Sequence, residues 1–241
     1  MNAFSKIMKE ANSMAEPSMV IPVNHDLGNQ AQAVHSKGAT RNATGKPVNL
    51  AADELYIVHY CHPSCEPLLN ICRMSKEEAF LQASKMASDN PDTTAFYRFA
   101  DFENYYPRRM MQDEYLYDLF VSLGGKPKEN HPLSFVLQCS EYLKNWFDND
   151  ITIKIRLKDI PSEHISFTLG DSGELTKKNG VMVKEIQKGK LTMYTKEILL
   201  KKISEHDGTV EDFLCEITEK YNYIEVQLWS DDYCRQIKKC S

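Results

Sequence analysis

The sequence contains no long hydrophobic run and no familiar catalytic motif, and these absences exclude several classes of protein. No stretch approaches the ~18 apolar residues that a membrane-spanning helix needs, so we expect no transmembrane segment. The chain also lacks a Walker A loop, a G-x-G-x-x-G fingerprint, an H-E-x-x-H helix and a nucleophile elbow. The nucleotide-binding, metalloprotease and hydrolase families that these motifs mark are therefore not indicated.

The chain also lacks the excess of positive charge that is typical of a nucleic-acid-binding domain. Its 241 residues include 29 Lys and Arg against 34 Asp and Glu, which gives a net charge of −5. The phosphate backbone of nucleic acid attracts basic surfaces and repels acidic ones. Because this chain is acidic overall, we expect no nucleic-acid partner. Hydrophobic residues make up 42% and aromatic residues 10% of the chain, which is enough to build a folded core.

The cysteine pattern bears on the compartment. Seven cysteines are present, at positions 61, 65, 72, 139, 215, 234 and 240. The odd number argues against a disulfide framework, and Lys9 and Glu10 interrupt any apolar core that a signal peptide would need. Because thiols stay reduced in the cytosol, we expect a cytoplasmic protein.

The first part of the chain differs in composition from the rest. The stretch 18–50 has no aromatic residue and little apolar periodicity, so it cannot bury enough surface to offset its ordering entropy. Before this stretch, apolar residues follow the spacing of a short amphipathic helix: Phe4, Ile7, Met8, Ala11 and Met14. We predict a flexible N-terminal arm over residues 1–52 and a single globular domain over residues 53–241.

Strand and helix patterns interleave irregularly in the predicted domain. YIVHYCH at 56–62 and ITIKIRL at 151–157 have the β-branched content of strands, and the second alternates apolar with polar residues. Ser75 and Glu78 form a capping box that opens a helix. The irregular order predicts an α+β fold, in which about five helices pack on a mixed, mostly antiparallel sheet.

A further helix is predicted to begin at Pro107, which suits the first helical position. Its apolar stripe predicts a buried face formed by Leu116, Leu119, Phe120 and Leu123. In this interpretation Arg108 and Arg109 occupy the first turn, where the helix dipole disfavours positive charge. Arginines at an unfavourable position suggest another purpose, such as binding an anion.

The segment YRFADFENYYPRR, residues 97–109, is therefore a candidate site. Arginines beside aromatic rings can bind phosphate or stack on a base. We predict ligand binding by Arg98, Tyr105, Arg108 and Arg109. Proton transfer would come from Glu103 or from Asp171, which lies in a Gly-Asp-Ser-Gly turn after a later strand. The alternative, which we favour at this point, is a set of surface ion pairs packed on aromatic stems.

A second candidate site is the stretch YIVHYCHPSC, residues 56–65. Strand alternation places His59 and Cys61 on one face, and a turn at Pro63 could return Cys65 as a third metal ligand. Thiolates with imidazole suit zinc, and the fourth ligand would be Cys72 or His131. Structural zinc usually uses two close ligand pairs, and no second pair follows here, so we favour packing of these thiols in the core.

Two functions from different classes remain open. The leading hypothesis is a non-catalytic binding or regulatory module with an unknown protein partner, which predicts no convergent set of titratable side chains. The alternative is an enzyme acting on a nucleotide-like or other anionic substrate, which predicts that the arginines of 97–109 meet Glu103 or Asp171 in one pocket with shifted pKa values. A zinc-stabilised module over residues 59–72 is a lesser alternative.

Overall fold

The computed structural model describes residues 54–91, 94–147 and 151–234. The predicted N-terminal arm, residues 1–52, lies outside these ranges. The side chains of residues 94, 95, 97, 98 and 151 are also outside the described part, and they include the candidate ligand-binding side chain of Arg98. Within the described ranges, no helix is long and apolar enough to cross a membrane.

A six-stranded antiparallel sheet forms the centre of the domain. Its strands are β1 (Tyr56–Cys61), β2 (Leu133–Leu137), β3 (Ile151–Arg156), β4 (Ile165–Leu169), β7 (Met193–Thr195) and β8 (Ile224–Leu228). Two further strands, β5 (Lys177–Lys178) and β6 (Val181–Met182), form a separate hairpin. The order in the main sheet is β3-β1-β2-β8-β4-β7, and each neighbouring pair runs antiparallel.

Five α-helices accompany the sheet in the described ranges. They are α1 (Lys76–Asp89), α2 (Phe102–Ser122), α3 (Glu141–Trp146), α4 (Lys196–Glu205) and α5 (Val210–Tyr221). Ser75 caps α1 with the reciprocal hydrogen bonds of a capping box, as its spacing from Glu78 predicts. The predicted α+β class, with an antiparallel sheet and five helices, is confirmed.

One face of the sheet is apolar and forms the main core. Alternate residues of five strands point to this side, among them Ile57, Phe135, Ile155, Phe167 and Val226. The apolar sides of α4 and α5 cover them, with Leu199, Ile203 and Phe213 in contact with the cluster. This packing explains why α4 and α5 show the 3.6-residue periodicity of half-buried helices.

The opposite face of the sheet carries polar side chains at its centre. On the three strands β2, β8 and β4, the polar residues that alternate with the apolar set are Ser134, Ser166, Thr168, Glu225 and Gln227. All of them except Ser134 are buried. Helix α2 packs on this side through its C-terminal half, where Phe120 stacks on Trp229 with ring centroids 5.4 Å apart. The N-terminal half of α2, by contrast, faces this polar layer of the sheet, which Arg109 contacts at Ser134.

Helix α2 begins earlier than the sequence pattern predicts. It starts at Phe102, so Pro107 lies inside the helix rather than at its first position. The first turn is stabilised by tertiary packing, because the ring of Phe102 meets Phe80 and Phe99 edge-on. Packing of this kind routinely extends a helix beyond its local start signals.

The corrected start changes the interpretation of the two arginines. Arg108 and Arg109 lie in the second turn of α2, not in the first. The helix dipole acts mainly on the first turn, so its opposition to these charges is weak. The dipole argument for an anion site is therefore wrong, and any such site must be argued from the contacts of the side chains.

Replacing Phe120 by Ala should destabilise the fold strongly, because this fully buried ring stacks on Trp229. We expect the free energy of unfolding to fall by about 3–5 kcal/mol. The matched control is Leu81→Ala, which removes a side chain that is 74% exposed and should cost less than about 0.5 kcal/mol. Denaturant unfolding followed by circular dichroism measures both, and equal losses would contradict the packing described.

Candidate functional site

The polar layer is organised around Arg109 of α2. Its Nη2 lies 3.0 Å from Oδ1 of Asp113, one helical turn further on, and the Asp113 side chain has no exposed surface. The short distance does not give Oδ1 a hydrogen bond of normal geometry, so the contact is chiefly an ion pair. Arg109 also donates to Ser172 Oγ at 3.3 Å and to Ser134 Oγ at 3.4 Å. The guanidinium thus connects α2 to the sheet and to the loop after β4.

The second oxygen of Asp113 is surrounded by donors from other segments. Oδ2 accepts a hydrogen bond from Asn70 Nδ2 at 3.2 Å and lies 3.1 Å from Nδ1 of His131. Cys72 lies against the same carboxyl group. Burial, and then the negative charge of Asp113, raise the pKa of the Cys72 thiol to about 12. Asp113 is therefore the meeting point of three segments of the chain.

Glu225 is the second buried carboxyl group of the layer and comes from the central strand β8. Its Oε1 accepts from Ser172 Oγ at 3.0 Å, and its Oε2 accepts from the backbone N–H of Ser172. Burial, and then the negative charge of Asp171, raise the pKa of Glu225 to about 7 against the smaller opposing effect of Arg109. A carboxyl group that titrates near neutral pH can give or take a proton under physiological conditions.

Asp171 is positioned by the turn that ends β4. Gly170 has a φ of +87°, a left-handed conformation that favours glycine. Asp171 Oδ1 then accepts a hydrogen bond from the N–H of Gly173 at 2.7 Å and caps the 3-10 helical segment Ser172–Thr176. The predicted Gly-Asp-Ser-Gly turn thereby places Ser172 between Arg109 and Glu225.

A cavity of about 310 Å³ opens onto this polar cluster. Arg109, Asp171 and Glu225 line its polar side. Much of the remaining wall is aromatic and includes Phe99, Tyr105, Tyr142, Trp146, Phe147 and Tyr223. A few convergent polar groups beside aromatic walls are typical of a small-molecule site.

A second cavity, of about 260 Å³, adjoins the first, and the two share Tyr105, Arg109 and Asp171. Two further cations line it, Arg108 and Lys177, of which Lys177 is paired with Glu174. Arg108 forms no ion pair within the described part of the chain, and its buried Nε has no hydrogen-bond partner there. The second cavity therefore contains a cation whose charge is not compensated by a direct contact.

Four of the residues predicted for ligand binding or proton transfer lie at these cavities. Tyr105, Arg109 and Asp171 line both, and Arg108 lines the second. Glu103 lines neither and is exposed. It lies two residues from Tyr105 and therefore on a different side of the helix. The carboxyl groups that line the cavities are Asp101, Asp171 and Glu225, and Asp171 and Glu225 are the two that line the first cavity.

His59 is not available as a metal ligand in this structure. Its Nδ1 donates to the carbonyl of Ser134 at 2.9 Å, and its Nε2 accepts the N–H of Leu68 at 3.2 Å. Burial lowers the pKa of the imidazole, which keeps it neutral. Because both ring nitrogens bind the backbone, no lone pair remains for a metal.

Cys61 and Cys65 likewise make contacts within the protein. The Cys61 thiol donates to the carbonyl of His62 at 3.4 Å, and Cys65 Sγ lies 3.9 Å from the sulfur of Met86. The predicted trio of His59, Cys61 and Cys65 is not among the clusters of possible ligand atoms in the described ranges. The zinc and the packing interpretations of these two thiols both stay predictions.

Sequence reasoning missed Glu225 and Asp113, although each carries a recognisable signal. Glu225 is a carboxylate within YIEVQLW, a strand that is otherwise largely apolar. Such a residue on a central strand must be buried on one face, where it needs partners. Asp113 stands four residues after Arg109, which is the spacing of an ion pair on a helix.

Comparison of the chain with family models, curated proteins and solved structures finds no match in any of the three. A function for this chain therefore has to be proposed from the site itself, from its residues, charges and cavities.

The pKa of Glu225 predicts that the stability of the protein depends on pH. The pKa rises from an ordinary 4.5 to about 7 on folding, so the folded state binds more protons between these values. Stability should therefore fall as the pH rises through this window, by about 3 kcal/mol in total, and level off above it.

Denaturant unfolding of Glu225→Gln at several pH values tests this, because the amide cannot titrate. The variant should lose the decline in stability between about pH 5 and about pH 7. Glu114→Gln, an exposed position on α2, is the matched control and should keep the decline of the native protein. The assignment would be wrong if Glu225→Gln and the native protein showed the same pH dependence.

Proposed function

We propose that the protein binds a small anionic molecule that carries a flat ring, such as a nucleotide, in the two cavities around Arg109. The observation that supports this most directly is the state of Arg108, which lines the second cavity without an ion-pair partner in the described ranges. Partly burying an unpaired charge is costly. An anion with two oxygens can accept two parallel, charge-assisted hydrogen bonds from a guanidinium. Such an anion would therefore relieve the cost of burying the charge of Arg108.

The first cavity supports the ring of the proposed ligand. Its wall includes Tyr142, whose ring lies 5.9 Å from that of Trp146 and 6.2 Å from that of Tyr223. Stacking of a base on an aromatic side chain contributes about 1–3 kcal/mol. Because Tyr105 and Arg109 border both cavities, a single molecule can have its ring at this wall and its anionic group near Arg108.

Arg109 has a different role from Arg108 in this proposal. Its charge is already paired with Asp113 at 3.0 Å, and its other contacts are to serine hydroxyls. A guanidinium held in this way orients its neighbours more than it attracts an anion. We therefore assign the anion to Arg108 and the alignment of Ser172 and Glu225 to Arg109.

Glu225 and Asp171 favour a second candidate, an enzyme that acts on the same class of molecule. Both carboxyl groups line the first cavity, and the pKa of Glu225 is raised to about 7. Proton transfer is most effective when the pKa of the group lies near the working pH. In this candidate function Glu225 exchanges the proton, and Asp171 supplies the neighbouring negative charge that raises the pKa of Glu225.

The hypothesis of a non-catalytic regulatory module stays a prediction beside these two. In that case the same cleft would sense its ligand without converting it, and a protein partner would respond. Incubation with nucleoside monophosphates, followed by chromatography, separates the possibilities. A product that forms with the native protein and not with Glu225→Gln supports the enzyme, whereas binding without any product supports the module.

Binding of adenosine 5′-monophosphate is the direct test of the proposed function. The chain has two tryptophans. Trp146 lines the first cavity, and Trp229 is fully buried against Phe120. Titration should therefore quench the fluorescence of Trp146, and a Trp146→Phe variant should lose this signal. Arg108→Gln should weaken binding of the monophosphate about tenfold or more and leave the affinity for adenosine unchanged, since only the charge-assisted bonds are lost.

Arg156→Gln is the matched control for this titration. Arg156 is half-exposed on β3, where it pairs with Asp159 at 2.8 Å and lines neither cavity. The proposal predicts no change in affinity for this variant. Equal affinities of Arg108→Gln and Arg156→Gln for the monophosphate would contradict it.

A further inference from the structure

Three side chains from separate segments of the chain converge beside Arg109. Cys72 lies in the 3-10 turn Ile71–Arg73, Asp113 lies in α2, and His131 lies in the loop before β2. One possible ligand atom from each of the three lies within 4.8 Å of the other two. Among the residues that the structure describes, this is the one group of three such side chains that meets this condition.

The three side chains are held by a shared neighbour, Asn70. Its Oδ1 accepts the N–H of Cys72 at 2.8 Å, and its Nδ2 donates to Asp113 Oδ2 at 3.2 Å. The same amide donates to the carbonyl of Pro132, beside His131, at 2.7 Å. A buried amide that positions three separate segments resembles the outer-shell support that metal ligands usually have.

One acceptor in the cluster lacks a well-aligned donor. Asp113 Oδ1 is buried and accepts no hydrogen bond of normal geometry, although Arg109 Nη2 is only 3.0 Å away. Proteins rarely leave a buried acceptor in this condition, and a bound ion is one of the ways in which they satisfy it. A cation on the carboxylate would do so here, and Arg109 would remain as its outer-shell partner.

We propose that Cys72, Asp113 and His131 bind one zinc ion. Sulfur, nitrogen and oxygen ligands together suit zinc, and three protein ligands leave a fourth position for water. The side chain of His131 is 17% exposed, which gives the ion a route from solvent, whereas Asp113 is fully buried. Binding replaces the thiol proton of Cys72, which passes to the solvent, so thiolate and carboxylate balance the two charges of the ion.

The site is separate from the proposed ligand, and it shares with the first zinc hypothesis only Cys72 and His131, the candidates there for a fourth ligand. It uses none of His59, Cys61 and Cys65, and none of its three ligands lines either of the two cavities around Arg109. The competing interpretation is a simple hydrogen-bonded cluster, in which the Cys72 thiol and His131 both donate to Asp113. That interpretation predicts no stoichiometric metal binding.

Metal titration of the chelator-treated protein, with its whole chain of 241 residues, tests the proposal. Cobalt(II) is the spectroscopic probe, and competition with zinc gives the affinity for zinc. We expect one ion per chain and a thiolate-to-cobalt charge-transfer band. Cys72→Ser should remove the band, and His131→Gln should weaken binding at least about tenfold. Cys139→Ser, which changes an exposed cysteine, is the matched control and should alter neither.

Other outcomes would overturn the proposal. One is the absence of a stoichiometric ion from the folded native protein. Another is a band that persists in Cys72→Ser but disappears in a Cys61→Ser/Cys65→Ser variant, which would assign the metal to the other thiols. If Cys72→Ser does not fold, His131→Gln decides, because it changes a partly exposed loop residue. Native affinity in that variant, with its fold confirmed by circular dichroism, would contradict the site.

Discussion

The buried ion pair between Arg109 and Asp113 is the constraint on which the rest of the site depends. It places a positive and a negative charge on the side of α2 that faces the sheet, and the carboxylate has no exposed surface. Removing one partner of a buried pair usually costs about 3–5 kcal/mol, because the other charge is left uncompensated. The sheet below this half of the helix must therefore supply polar partners, and it does so with Ser134 and the loop that contains Ser172.

This requirement divides α2 into two halves with different roles. In the C-terminal half, Leu116 and Phe120 pack with Trp229 in an apolar cluster that fixes the helix. In the N-terminal half, polar contacts hold the helix, and the two cavities open beside them. The site lies where the packing changes from one kind to the other.

The fold could be predicted from the sequence because its signals are local. The alternation in ITIKIRL and the capping box of Ser75 and Glu78 depend on neighbours a few residues apart, and the structure has the corresponding strand and helix. Local signals predict the start of α2 at Pro107 instead of Phe102, because the rings that stabilise its first turn come from distant positions such as Phe80. Capping rules do not include such contacts.

The candidate site was only partly predictable, for the same physical reason. Tyr105, Arg108 and Arg109 are close in the sequence, and their helical spacing brings them to one side. The local signals of Glu225 and Asp113 do not show their partners, and the cluster of Asp113 with Cys72 and His131 depends on tertiary contacts. The sequence does not show that both ring nitrogens of His59 form hydrogen bonds with backbone groups, those of Ser134 and Leu68. The hypothesis that His59 binds zinc therefore could not take these bonds into account.

The central claim is that one ligand can contact Arg108 and the aromatic wall at the same time. Nuclear magnetic resonance of the ¹⁵N-labelled protein measures this most directly, through the side-chain Nε–H signals of arginine and tryptophan during titration with adenosine 5′-monophosphate. The account predicts saturable shifts of the Arg108 and Trp146 signals with one common dissociation constant, while Arg156 and Trp229 stay unchanged. Shifts confined to other residues, or no shift of Arg108 at saturation, would contradict it.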